Sequence, residues 1–253
     1  STIAAPARYV FGAWCSDAQA CVGAVLAPNG VTTVATTARI SSTTAIASKA
    51  NGAGFTWGGT VSNVGATTFD VAWSSGHTNA VHVLALRSTS GSPLGVKVGT
   101  FATKTSTGTA ADISGMSVTP QLVLYGLSRM IAVDTNYGSV DDASVLGIGC
   151  ALKNTGSGAT QYGTIVSSNE DGELCSATHA YSHTSNTQCI RVLDANNGAA
   201  DIEATVSSWD SGGVTHDYTN INATGRRVLY VAIGADSSAP STPKGRMLMT
   251  GVG

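Results

Sequence analysis

The densest set of reactive side chains lies between positions 175 and 189, where Cys175, His179, His183 and Cys189 fall within fifteen residues. Two thiolates and two imidazoles make a tetrahedral zinc donor set. The spacing is loose, and it lacks the close cysteine pair of common zinc modules. The same two cysteines could instead close a disulfide loop, which would gain about 3 kcal/mol from reduced chain entropy. Unpaired thiols beside surface histidines are the plainest reading. Cys15 and Cys21 offer a second, smaller disulfide loop by the same logic. Cys150 sits in an apolar run and is expected to be buried. Because the five cysteines are an odd count, a thiol is left over for a bond between chains, and Cys150 is the candidate.

Other constellations are weaker. Asp134, Asn136, Asp141 and Asp142 alternate oxygen ligands in a calcium-like way, but the twelve-residue pattern and its terminal Glu are missing. An ordinary acidic turn is the expectation there. No Gly-x-Ser-x-Gly elbow singles out a nucleophile. Gly156-Ser157-Gly158 is not followed by the Lys-Ser/Thr of a phosphate loop. No catalytic residue is nominated, no enzymatic activity is expected and no cofactor is implied. Trp57 and Trp73 alternate with small or apolar neighbours, which points to the core. Trp209, beside Asp210 and Gly212-Gly213, is the better candidate for an exposed ring that stacks on a sugar.

The elements that must position these residues are strands. Short apolar or period-two runs cover Arg8–Gly12, Cys21–Leu26, Thr32–Ile40, Thr44–Ser48, Gly54–Trp57, Thr67–Trp73 and Ala80–Arg87. They continue at Gly95–Phe101, Leu122–Leu127, Val145–Leu152, Thr160–Val166, Gln188–Leu193, Asp201–Ser207 and Arg226–Ile233. Between them lie Asn51-Gly52, Gly58-Gly59, Gly91-Ser92-Pro93, Asp171-Gly172, Asn197-Gly198 and Gly212-Gly213, which are turn signals. Regular short strands of this kind argue for sandwiches or barrels.

An internal repeat organises them. Pro6–Gly12 matches Pro120–Gly126 at an offset of 114, and Ala80–Leu86 matches Arg227–Ile233 at an offset of 147. Cys21–Ala24 resembles Val145–Ile148 in the same order. The expectation is an all-β protein of two tandem β-sandwich, jelly-roll-like units related by internal duplication. The first covers 1–92. The second, larger unit covers 93–236 and carries the inserted Cys/His loop. Residues 237–253 form a tail. Its Arg246, Met247, Leu248 and Met249 read as a strand resembling the one that leads into the second unit. The first unit has only five residues before Pro6, so the tail is expected to complete its open edge, in its own chain or a neighbour.

Composition narrows the function classes. Of 253 residues, 42% are hydrophobic, so a sizeable core is expected. Only 11% are charged, against about 25% in ordinary domains. A Ser/Thr-rich, weakly charged surface suits dense packing against other copies. The formal net charge of −2 argues against a nucleic-acid partner. No apolar run reaches the roughly 18 residues of a membrane span, and no signal peptide is visible at the start. Ser1 fits an initiator Met removed before a small residue.

Val98-Gly-Thr-Phe101, Thr107-Gly108 and Ile113-Ser-Gly115-Met-Ser-Val118-Thr-Pro120-Gln-Leu-Val-Leu124 together resemble a segment of tailed-bacteriophage structural proteins. In that family these residues open a β-sandwich module of head-decoration, collar, tail and fibre proteins. The chain departs from it at Met116-Ser117-Val118, where an aromatic often precedes the Pro. The resemblance implies a virion structural protein on the particle exterior, assembled in the host cytoplasm. Head decoration or a neck or collar component fits better than a tail fibre, since no coiled-coil or repetitive shaft is visible. Partners would be copies of itself and other virion proteins. The alternative is a carbohydrate-binding module that attaches to a host surface glycan.

Overall fold

The computed structural model describes residues 7–16, 18–26, 37–49, 55–63, 68–76, 80–86, 94–137, 144–154, 160–169, 180–194 and 198–235. These residues form strands and no helix, so the protein is all-β. The first strands are β1 (Ala7–Trp14), β2 (Gln19–Leu26), β3 (Thr37–Ser41), β4 (Ile46–Lys49), β5 (Phe55–Ser62) and β6 (Asp70–Trp73). Next come β7 (Leu94–Ala102), β8 (Gly108–Ile113), β9 (Leu122–Leu127), β10 (Asn136–Tyr137), β11 (Ser144–Lys153) and β12 (Thr160–Asn169). The last are β13 (Ala180–Ser185), β14 (Ile190–Leu193), β15 (Ala200–Asp210), β16 (Gly213–Asn220) and β17 (Arg227–Ala235).

Four antiparallel sheets stack on one another. The central one has six strands in the order β13-β12-β11-β9-β17-β7. Its inner face packs on β14-β15-β16-β8 around Val123, Tyr125, Ile190, Ile202, Val214 and Tyr230. Part of its other face packs on β1-β2-β3-β10 around Val22, Ile40, Val98, Leu229 and Val231. The opposite side of that sheet meets β4-β5-β6 around Trp14, Ala45, Ile46, Trp57 and Val71.

The sequence of β17 explains its place at the centre. Val228, Tyr230 and Ala232 enter one core, and Leu229 and Val231 enter the other. Strands buried on both faces read as continuous apolar runs rather than alternations. By contrast, β15 and β16 alternate over Ile202–Val206 and Val214–Tyr218, with Ile202, Ala204, Val206, Val214, His216 and Tyr218 buried and Glu203, Thr205, Thr215 and Asp217 half-buried. They are joined by a two-residue turn in which Gly212 takes φ 94°, a conformation that costs glycine nothing.

Two parts of the stack share the same ladder details. Gly12 of β1 lies under the backbone of Ala45, and Gly149 of β11 lies under the backbone of Cys189; a Cβ on either would collide with the carbonyl oxygen. Ile46 pairs with Gly59, and the β4–β5 ladder slips between Ser48 and Lys49. Ile190 pairs with Ala204, and the β14–β15 ladder slips between Val192 and Leu193, the corresponding step. Ser41 and Thr43 form the same side-chain and backbone bonds as Ser185 and Thr187. β1-β2-β3 therefore corresponds geometrically to β11-β12-β13, and β4-β5-β6 to β14-β15-β16.

This corrects the alignment expected from the sequence. Ala7–Gly12 does not take the place of Gln121–Gly126. Tyr125 points into the core shared with β14-β15-β16-β8, whereas Phe11 packs on the central sheet from outside. An apolar run closed by Gly recurs in both strands, and the offset of 114 matched that pattern rather than a shared position.

The boundary expected near residue 92 is crossed by hydrogen bonding as well as by the packing of β1-β2-β3 on the central sheet. β10 pairs with β3 through Asn136–Arg39 and Tyr137–Ala38. Asp134 donates its backbone N–H to the Ile40 carbonyl at 2.8 Å. Its carboxylate accepts from Ser41 Oγ at 2.8 Å, Ser42 N at 3.1 Å and Ser42 Oγ at 2.5 Å. Partial burial works against its ionisation. The Ser42 and Ser41 hydrogen bonds and the charge of Arg39 outweigh that and hold the carboxyl below its ordinary value.

Candidate functional site

The arrangement closest to catalytic geometry is buried between the two sheets of the larger sandwich. β8 supplies Asp112, β9 supplies Tyr125, and β16 supplies His216 and Tyr218. Asp112 Oδ2 lies 2.9 Å from His216 Nδ1 and 2.6 Å from the Tyr218 hydroxyl that donates to it. The Tyr125 hydroxyl lies 2.8 Å from His216 Nε2. A carboxylate only accepts, so the neutral tautomer that fits this line carries its proton on Nδ1 and accepts from Tyr125 at Nε2. Phe101 stacks on the ring with centroids 5.6 Å apart.

This carboxylate–imidazole–hydroxyl line has the form of a nucleophile-activating relay. Its surroundings work against that use. His216 and Tyr125 have no exposed surface. Burial pushes both the Tyr125 and Tyr218 hydroxyls well above the usual tyrosine range, the latter with help from Asp112. As placed, the network satisfies polar groups inside the core and ties β8, β9 and β16 together. The sequence carried a signal for it: His216 stands at an inward position between Val214 and Tyr218.

The residues of the expected thiol and metal sites are only partly described. Cys175 and His179 lie outside the described residues. Cys189 is a free, wholly buried thiol that donates to the Ala204 carbonyl at 3.5 Å. Burial pushes it up to about 12. Neither Cys15 nor Cys21 is in a disulfide. Cys21 pairs across the ladder with Gly12, three residues before Cys15. Three strand residues span about 10 Å, beyond the roughly 7 Å that a disulfide bridges. Cys21 is buried, which pushes its thiol up to about 12. His183 is in β13, half-buried, and among the described residues no three His, Cys, Asp or Glu side chains form a metal cluster. Asp134 of the calcium-like stretch is engaged by Ser41 and Ser42, while Asp141 and Asp142 lie outside the described residues.

The tryptophans sort differently from expectation. Trp57 is buried, as its strand pattern implied, but Trp73 is 41% exposed. It meets Trp57 edge-on at 5.5 Å and lines a shallow groove of about 430 Å³ with Arg39, Thr44, Phe55, Thr60 and Ser74. The Arg39 guanidinium lies 5.2 Å from the Phe55 ring centre. Trp209 is half-buried against the core, and its indole N–H donates to Thr160 Oγ1 at 2.9 Å. Trp73 is therefore the better-exposed ring, on β6 at the edge of a three-stranded sheet.

Two apolar surfaces remain. Ala80–Leu86, expected as a strand, joins no ladder among the described residues, and every one of its seven side chains is exposed, Leu84 by 62%. The second surface is the outer face of β11 and β12, where Ile148 is 51% and Ile165 65% exposed. Cys150 is on that face, half-buried, and burial raises its thiol. The tail residues Arg246, Met247, Leu248 and Met249 lie outside the described residues. No family model, curated protein or solved structure matches the chain.

Proposed function

We propose that this chain is a structural component of a tailed-bacteriophage particle, on its exterior, where it joins copies of itself and other virion proteins through β-sheet contacts. A head-decoration or neck or collar role fits better than a tail fibre. The observation that carries the assembly part is Ala80–Leu86. Six of its seven residues are apolar, and in an extended strand they would fall on both faces. A strand apolar on both faces belongs inside a sheet covered on both sides, as β17 is. Here it stands in solvent, which is the condition of a strand supplied to a partner. The virion part rests on the resemblance around Val98–Leu124. The ladder correspondence also favours an internal duplication, with a strand-completing tail at 246–249 as one way to close the edge at β1, which has no further neighbour among the described residues.

Two measurements test the reading. An antibody against the chain, applied to purified particles from cells that produce it, decorates their surface; signal confined to the soluble fraction would overturn the virion assignment. Replacing Leu84 by Asp lowers the oligomer mass in native mass spectrometry, and an unchanged mass would remove Ala80–Leu86 from the assembly.

The groove at Trp73 favours a second reading, glycan attachment. An exposed indole flanked by Arg39, Thr44, Thr60 and Ser74 offers a stacking face and hydroxyl partners. Binding on a glycan array that is lost in Trp73→Ala supports it. An array without signal counts against it.

A further inference from the structure

The outer face of β11 and β12 is built like a face that the protein has already covered. Ile148, the residue before Gly149, pairs with Ile165, which pairs with Thr184. Phe11, the residue before Gly12, pairs with Val22, which pairs with Ile40. In the second set Val22 and Ile40 are wholly buried, closed by Val98, Leu229 and Val231 of the central sheet. In the first set Ile148 and Ile165 are open to solvent.

We propose that this open face is an interface between two copies of the chain, packed face to face about a two-fold axis with the two Cys150 side chains near each other. Three observations select a second copy. The matched face takes an aliphatic β-sheet face as its partner, and the exposed patch is itself such a face. The patch is also continuous with the established contact: Leu124 and Leu146 pack into it, and Gly126, the ladder partner of Ile148, lies under Val22 and Phe11. Its cross-strand rim is Gln161, Ser182 and Thr184, so two like faces meet without opposing charges. A single self-complementary patch closes as a two-fold pair.

The size of the face sets the strength. Ten residues at about 3.3 Å and three strands about 4.8 Å apart give roughly 450 Å² per copy. A pair then buries on the order of 900 Å², in the range of weak, transient contacts. Micromolar association follows, reinforced where many copies are held on one surface. The inference deepens the assembly reading and rests on it only in taking the chain to join copies of itself. It does not use Ala80–Leu86, so the two fail separately.

Analytical ultracentrifugation over a concentration series tests it. The full chain shifts from monomer to dimer. Ile165→Asp, at an exposed site, keeps the circular dichroism and melting curve and weakens dimerisation at least about tenfold. A short bismaleimide links Cys150 to Cys150, and Cys150→Ser loses the link but keeps the dimer. An undiminished dimer in Ile165→Asp, or links mapping to other cysteines, would overturn the proposal. So would a monomeric full chain that dimerises only after removal of 237–253, since the tail would then be the occupant of the face.

Discussion

Val22 lies between Phe11 and Ile40 as Ile165 lies between Ile148 and Thr184, yet Val22 has no exposed surface and Ile165 is 65% exposed. One position therefore carries two stabilities. Val22→Ala removes buried methyls and leaves a cavity, at a cost of about 2 kcal/mol. Ile165→Ala costs the isolated chain less than about 0.5 kcal/mol. Urea unfolding at a concentration too low for association separates the two, and equal losses would contradict the burial described.

The Tyr125–His216–Asp112–Tyr218 line is a stability element. Tyr125→Phe removes the donor to His216 Nε2 and costs about 1–2 kcal/mol. Asp112→Ala costs about 3 kcal/mol, because His216 and Tyr218 both lose their acceptor inside the core. Denaturant unfolding of the two variants checks the order. A loss in Asp112→Ala smaller than in Tyr125→Phe would show that the carboxylate is not the anchor of the network.

Much of the architecture was legible because the central strands are apolar in a regular way. β9, β11 and β17 fell where continuous runs placed them, and Gly212 marked its hairpin. β8, β13 and β16 were missed. β16, Gly213-Val-Thr-His-Asp-Tyr-Thr-Asn220, carries polar residues on one face and a His at an inward position, so the local signal is weak and cross-strand pairing decides. Ala80–Leu86 failed in the other direction. Its apolar pattern is that of a strand, but a strand needs a neighbour, and local pattern says nothing about whether one is present. The polar network was hidden for a related reason: Asp112 and His216 meet across 104 residues.

Asp134 ties the segment after β9 to the end of β3, and its contribution depends on pH. Its folded carboxyl titrates below the unfolded value of about 3.9. The unfolded chain therefore takes up the proton first as pH falls. The contribution is full above about pH 4 and is lost as pH drops through the folded value. Asp134 takes φ 58°, which Asn tolerates, so Asp134→Asn removes the charge without new backbone strain. The variant is less stable than the native chain by about 1 kcal/mol at pH 7, since the site is largely exposed. Urea curves at pH 7, 5 and 3 should show the gap closing toward acid; a gap constant with pH would mean that the charge is not the source.

The cysteines should differ in reactivity. Burial raises the thiols of Cys21 and Cys189 to about 12, which leaves almost no thiolate at neutral pH. Cys15 and Cys150 are half-buried. Alkylation of the native protein, read by peptide mass spectrometry, labels Cys15 and Cys150 first and Cys21 and Cys189 only after unfolding. Early labelling of Cys189 would mean that the core around Tyr125 opens readily.

Gly12 and Gly149 are the points where β1 and β11 pass closest to the chain entering β4 and β14. A methyl group at either meets a backbone carbonyl oxygen, of Ala45 or of Cys189, and each of these residues is tied to the neighbouring strand through its own N–H, to Gly59 or Ala204. Each Gly→Ala change therefore pushes two sheets apart, at a cost of about 2–3 kcal/mol. Gly163 is the control, since a methyl there meets only Cys150 Sγ, at 3.1 Å, and that side chain can turn. Its replacement by Ala costs less than about 1 kcal/mol. If the two ladders are equivalent, Gly12→Ala and Gly149→Ala lose similar stability despite lying in different sheets. A large loss at Gly149 with none at Gly12 would show that the first sheet tolerates a looser contact, and that the match between the two ladders is one of register without shared packing.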